Sequence, residues 1–157
     1  MKTFYRVLTA FVLILSTGSF SVRGLSIVTG NPDFKIKVTR CEASGKTVVI
    51  DMIWENASSK DVKISVSPLS SYAYDDEGNK FENDQMRLRW GNGGLSTGVD
   101  ELLPAEIPIK VRLQIEGVPV SSTMIKRVDI KVWCGNWGFN GDKYVKITDI
   151  PITHEGD

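Results

Sequence analysis

The sequence predicts an all-β fold, a single antiparallel sandwich of about eight strands. Three observations lead there. Past about Ile27 hydrophobic residues recur mostly at every second position, turn-forming clusters interrupt them, and no stretch carries an apolar stripe of helical period. Such one-sided alternation leaves each sheet with one wet face and one apolar face, and pressing two apolar faces together hides both.

The elements follow in order. Phe34, Ile36 and Val38 alternate with Lys35, Lys37 and Thr39 as a half-buried strand. After the turn Ala43-Ser44-Gly45, a second strand runs through Val48, Ile50, Met52 and Trp54, which places Trp54 in the core. Asn56-Ala57-Ser58-Ser59-Lys60-Asp61 is a loop and also matches the N-glycosylation acceptor pattern. Val62, Ile64 and Val66 form the third strand, and Tyr72-Ala73-Tyr74 leads into the acidic turn Asp75-Asp76-Glu77-Gly78-Asn79. Strands restart at Lys80-Phe81, at Met86–Trp90, at Ile107–Ile115, at Val128–Cys134 and at Tyr144–Ile150. Pro108 lacks an N–H, so it marks an edge or a strand start. The Gly- and Pro-bearing stretch from Gly91 to Glu106 reads as one long crossover between sheets, the connection a Greek key requires. Strands at this spacing describe a sandwich of immunoglobulin-like type; a closed barrel would use the same pattern.

Composition bounds function. The 157 residues carry 19 basic and 19 acidic side chains, with 41% hydrophobic and 24% charged residues, ordinary values for a globular domain. No basic excess exists to displace counterions from phosphates, so a general nucleic-acid binder is excluded. A single histidine, His154, and two cysteines, Cys41 and Cys134, remove most metal sites and nucleophile–base pairs.

The N-terminus points to export. Lys2 and Arg6 precede the apolar run Val7–Leu15, and small residues follow at Ser16, Gly18, Ser19 and Ser21. This is the pattern of a secretory signal, and the run is shorter than the ~20 residues a spanning helix needs. Residues 1–21 are therefore expected to be a signal peptide, cut near Val22 or as late as Gly24, with residues 22–157 forming one domain. Periplasm, cell surface and secretion remain open as destinations, and no membrane insertion is expected after cleavage.

Four groups of residues are candidates for function. In an oxidising compartment Cys41 and Cys134 can pair. Cys134 shares the inward phase of Val128, Ile130 and Val132, whereas Cys41 is in phase with the outward Lys35, Lys37 and Thr39. A bulge near Arg40 would be needed to turn Cys41 inward. Asp75, Glu77 and Asn79 offer calcium-type oxygen ligands, but the twelfth position counted from Asp75 is Met86 instead of an acid. An acidic hairpin turn bonding its own backbone explains the same residues. Trp137 and Phe139 lie in the loop Gly135–Asp142 and either form an exposed apolar platform, with Trp90 as a neighbour, or plug the open end of the sandwich. Asp75, Glu77, Asp100 and Glu101 supply carboxylates for a hydrolase, which would need two of them held roughly 5–10 Å apart across a cleft.

With these strands laid out, the chain resembles the telokin-like immunoglobulin-fold domains of exported bacterial proteins of unknown function. The signal peptide, Phe34-Lys35-Ile36-Lys37-Val38, Val48–Trp54 ending at Asn56, the turn Tyr74–Phe81 and the closing Val145–Ile150 carry the likeness. The resemblance implies an exported sandwich that mediates contacts, with no catalytic residues to carry over. The expected function is a non-catalytic binding module that meets a protein partner, or itself, through a sheet edge or loop tips. The alternatives are a carbohydrate-binding module stacking sugars on Trp137 with Trp90 or Phe139, and a carboxylate hydrolase. No cofactor is expected.

Overall fold

The computed structural model describes residues 24–135 and 144–157. Residues 1–21, expected to be a signal peptide, and Trp137 and Phe139 lie outside the described residues. Among the described residues the chain forms twelve strands: β1 Ser26–Val28, β2 Phe34–Ser44, β3 Thr47–Asn56, β4 Val62–Asp75, β5 Lys80–Glu82, β6 Met86–Trp90, β7 Leu95–Ser96, β8 Val99–Leu103, β9 Ile109–Glu116, β10 Met124–Cys134, β11 Tyr144–Pro151 and β12 Thr153–His154.

They build two sheets. One runs β1-β11-β10-β4-β5, with β8 also pairing to β4, and the other runs β12-β2-β3-β9-β6-β7. Every named pairing is antiparallel except β12 with β2. In immunoglobulin nomenclature β2, β3, β9 and β6 take the places of strands A, B, E and D, and β11, β10 and β4 those of G, F and C. The fold is an immunoglobulin-like β-sandwich, as the alternation predicts.

β3 shows how directly the pattern acts. Val48, Ile50, Met52, Trp54 and Asn56 are buried and every residue between them is half-buried. Trp54 is 0% exposed, as expected of a core residue, with Phe34 edge-on at 5.3 Å and Trp90 at 5.8 Å. From the facing sheet, Ile64, Val66, Val128, Ile130, Val132, Val145 and Ile147 complete the core. β9 begins immediately after Pro108, where a missing N–H costs no ladder bond.

The structure departs from the sequence reading at four places. The first is Cys41, which is buried: a register shift between Val38 and Arg40 on β2 flips the phase, so Cys41 and Ala43 point inward. The second is the disulfide. Both cysteines are free and buried; Cys41 pairs with Ile50 in one sheet, near the Ser44–Thr47 turn, while Cys134 pairs with Ile64 in the other, at the opposite end. Third, the Gly91–Glu106 stretch contains β7, which folds back along β6, and β8, which crosses to the other sheet. Fourth, Asn56 is 0% exposed, and its side-chain amide donates to the carbonyls of Lys60 (2.7 Å) and Leu103 (3.1 Å). A buried amide engaged in this way is a structural latch between β3 and the β4–β8 pair, closed to a glycan.

β4 carries one further irregularity. Tyr72 pairs with Asp129 but Ser67 pairs with Lys131, so Pro68-Leu69-Ser70-Ser71 loops out opposite one residue of β10. Ser71 fills the gap: its hydroxyl donates to Ser67 O (2.6 Å) and accepts from Lys131 N (2.9 Å), standing in for the interrupted ladder.

Candidate functional site

Inward phase is used up by the core, so function must reside on outward positions, edges or loops. The outward residues of β10 are Arg127, Asp129, Lys131 and Trp133, set by the inward Val128, Ile130, Val132 and Cys134. Trp133 is therefore driven out by its place in the strand, and it is 55% exposed.

Its neighbours follow from register. Trp133 faces Ser65 on β4, which faces Asp100 on β8. One step along, Lys63 faces Leu102, and Gly135 N donates to Lys63 O (3.1 Å). The Ser65 hydroxyl donates to the Asp100 carboxylate. Leu102 is 45% exposed. Together these residues surround a shallow depression of about 350 Å³. Gly135 leaves room for the indole, because a Cβ there would lie 3.0 Å from the end of the Trp133 ring. The ring end lies close to bare backbone, and a side chain at Gly135 would push it by a few tenths of an ångström.

The same outer face continues as a tyrosine cluster. Tyr72 lies edge-on to Tyr74 at 6.0 Å and tilted to Tyr144 at 5.9 Å, and the Lys80 ammonium sits 5.5 Å from the Tyr72 ring. Cross-strand from Tyr72, Asp129 is fully buried although it points outward. Arg127 meets it with two bonds, of 2.5 and 3.0 Å, so the buried charge is paired.

The residues singled out from sequence are distributed differently. Trp90 is half-buried and packed edge-on against Trp54, and so belongs to the core rim instead of forming a platform. Asp100 and Glu101 are adjacent on β8, so their side chains leave opposite faces of the strand. Asp75 is 3% exposed, and its carboxylate accepts four hydrogen bonds: Glu77 N (3.0 Å), Asn79 N (2.8 Å), Asn79 Nδ2 (2.8 Å) and Ser122 Oγ (2.6 Å). Those contacts make it the hub of the β4–β5 turn and tie that turn to the β9–β10 connection, the backbone-bonding reading of the acidic cluster. Glu77 is exposed. Among the described residues no group of three or more His, Cys, Asp or Glu is arranged to hold a metal ion. His154 makes a 2.8 Å hydrogen bond between Nε2 and Ser122 O.

Trp133 is not among the residues singled out from sequence, although the signal is present. A tryptophan between Val132 and Cys134, both in the inward phase, has to face solvent.

No protein-family model matches the chain, and no curated protein matches it. Among solved structures, a family 123 glycoside hydrolase from Clostridium perfringens, described for glycolipid glycan hydrolysis, superposes with TM-score 0.42 and 11% identity over 83% of this chain and 26% of that one. The chain thus spans about a quarter of the hydrolase. The PapD-like domain 7 of human CEP192 superposes with TM-score 0.36 and 17% identity, over 88% of this chain and 94% of that domain.

Proposed function

We propose that the protein is an exported, non-catalytic binding module that engages a protein partner through the outer face of β4, β8 and β10, centred on Trp133. The observation that carries this reading is the pairing of a half-exposed tryptophan with an exposed leucine around one shallow depression of a sheet face. Interface anchors are enriched in tryptophan, whose rigid ring with few rotatable bonds loses little side-chain entropy on binding. Lys63 and Asp100 flank the pair with opposite charges, a rim that favours one register of approach over others. Export is supported by the basic, apolar and small-residue order of residues 1–21. Among the edge strands β1, β5, β7 and β12 are each only two or three residues long, and the longer β8 is itself part of the proposed face.

A carbohydrate ligand is the second reading, favoured by the polar Ser65–Asp100 pair beside an aromatic ring. The Asp100 and Glu101 side chains diverge instead of facing one another across a cleft, so this pair does not support the hydrolase reading.

One experiment separates these readings. A photo-crosslinking residue placed at Leu102 is expected to trap a discrete protein adduct in extracts of the native host. The adduct should vanish in Trp133→Ala and be absent when the crosslinker stands at Gln114, on the other sheet. Equal adducts at both positions would sink the protein-partner reading. Saturable quenching of tryptophan fluorescence by an oligosaccharide, lost in Trp133→Ala, would replace it with the carbohydrate one.

A further inference from the structure

The outer face of the other sheet holds a second, unrelated cavity. Register places Arg40 (β2), Asp51 (β3), Arg112 (β9) and Arg89 (β6) in a single transverse row. Asp51 is fully committed to its two flanking guanidiniums. Arg112 reaches it through Nε (2.7 Å) and Nη2 (3.1 Å), Arg40 through Nε and Nη2 (both 2.8 Å), and Glu42 takes the remaining Arg40 contact at 2.8 Å. Arg89 is left over. No carboxylate pairs with it among the described residues, its Nε–H is buried without a hydrogen-bond partner, and the group directly across the strand pair is the guanidinium of Arg112. Two like charges set opposite one another, with a buried donor unmet, cost stability unless something anionic joins them.

The space for it is present. Arg89, Arg112 and Lys110 line a cavity of about 500 Å³, with Thr39 and Asn92 as polar neighbours and Ile53 as an apolar wall. That volume falls within the roughly 300–1,000 Å³ of small-molecule sites, larger than a bare oxyanion needs. Arg89, Lys110 and Arg112 against Asp51 leave two positive charges unbalanced, which a phosphomonoester dianion matches in charge and in number of acceptor oxygens.

We propose that this cavity binds a phosphorylated small molecule, its phosphate held by Arg89, Lys110 and Arg112 and its organic part against Ile53. The proposal is independent of the Trp133 face. Titration calorimetry of the full mature chain with glycerol phosphate and with inorganic phosphate tests it. Saturable binding is expected for both, tighter for glycerol phosphate, and weakening about three- to tenfold from pH 7.5 to pH 5.5 as the phosphate loses its second charge near pH 6. Arg89→Met should weaken glycerol phosphate at least about tenfold, the scale of a lost charge-assisted bond. Its melting temperature without ligand should equal or exceed that of the parent, a result that a purely structural arginine would not give. Lys110→Gln, exposed and safe for folding, should weaken binding about threefold. Arg87→Met, on the same strand but outside the cavity, should change nothing. No saturation by either phosphate compound, equal losses at Arg87 and Arg89, or sulfate binding as tightly with no pH dependence would each overturn the assignment.

Discussion

The two outer faces of this sandwich are opposites. The β10–β4 face is aromatic, with Trp133 at one end and Tyr72, Tyr74 and Tyr144 further along, whereas the β3–β9 face carries a row of charge from Arg40 through Asp51 to the neighbouring Arg112 and Arg89. The inner faces of the same strands are far more alike, mainly valine, isoleucine, leucine and methionine around Trp54. The contrast shows where each kind of information lies. Inward positions specify only apolarity and volume and so build the fold, while outward positions are free of packing and record what the molecule meets. One face is suited to dehydrated, rigid contact and the other to anions.

The comparison breaks most completely if the shared interior is opened. Trp54→Ala should cost about 3–5 kcal/mol in urea denaturation, since a fully buried indole leaves a cavity between Phe34 and Trp90. Trp54→Phe should cost clearly less, because the Trp54 Nε1–H has no hydrogen-bond partner to lose. Equal costs for the two variants would mean that the interior does not depend on ring volume at this point.

Next comes the one carboxylate that the inner face of β4 admits. Burial raises the Asp75 carboxyl, but hydrogen bonds from Asn79, Ser122 and Glu77 outweigh it and hold the group below its usual range. A depressed folded value stabilises the fold above the ordinary carboxyl pKa, about 3.9, and that stability disappears as pH falls through the lower folded value. Asp75→Asn should therefore lose about 2 kcal/mol at pH 7 and show a flatter decline below about pH 4. A variant whose acid limb matches the parent would remove Asp75 as the hub of that turn.

The strands of both faces were largely legible in the sequence. Alternation along β3, β9 and the Val128–Cys134 part of β10 leaves one choice of inward set, and Pro108 marks the start of β9. Phase-breaking features were not. The bulge before Arg40 has no residue signature, so Cys41 read as outward until pairing with β3 fixed it. The same holds for the four-residue insertion at Pro68–Ser71, where a buried hydroxyl replaces ladder bonds. β8 buries only Val99 and Leu103, four apart, with Asp100, Glu101 and Leu102 exposed between, so it carries no period-two signal. The aromatic site was half legible, since phase alone placed Trp133 outside. The charged cavity was not, because Arg89 and Arg112 are distant in sequence and meet only through the β6–β9 register.

The charged face is sharpened by a smaller change. Asp51→Asn should cost about 0.5–1 kcal/mol at low ionic strength and progressively less as salt rises, as for other partly exposed pairs. Its side chain is 24% exposed and its carboxyl is held low; burial raises it, but Arg112 and Arg40 together outweigh that. Removing this anion also frees both guanidiniums, so inorganic phosphate should bind a few-fold more tightly. Weaker phosphate binding in Asp51→Asn would mean that the row works by orienting Arg112 instead of by net charge.

The smallest expected effect falls on the thiols, and it tests whether the two faces are joined by packing alone. Burial pushes both Cys41 and Cys134 up to about 12, so neither is a thiolate at neutral pH, and each is shielded from oxidants and from the other by its place in a separate sheet. Adding reductant should leave the melting temperature unchanged. A thiol reagent at pH 8 should label almost nothing in the native protein and two groups per chain in denaturant. Such thiols survive an oxidising compartment because the thiolate, which is the form that reacts, is not populated until the sandwich opens. A reductant-induced drop of several degrees would place a crosslink between the sheets and require Cys41 and Cys134 to lie at the same end of the molecule, contrary to the registers of β2 with β3 and β10 with β4.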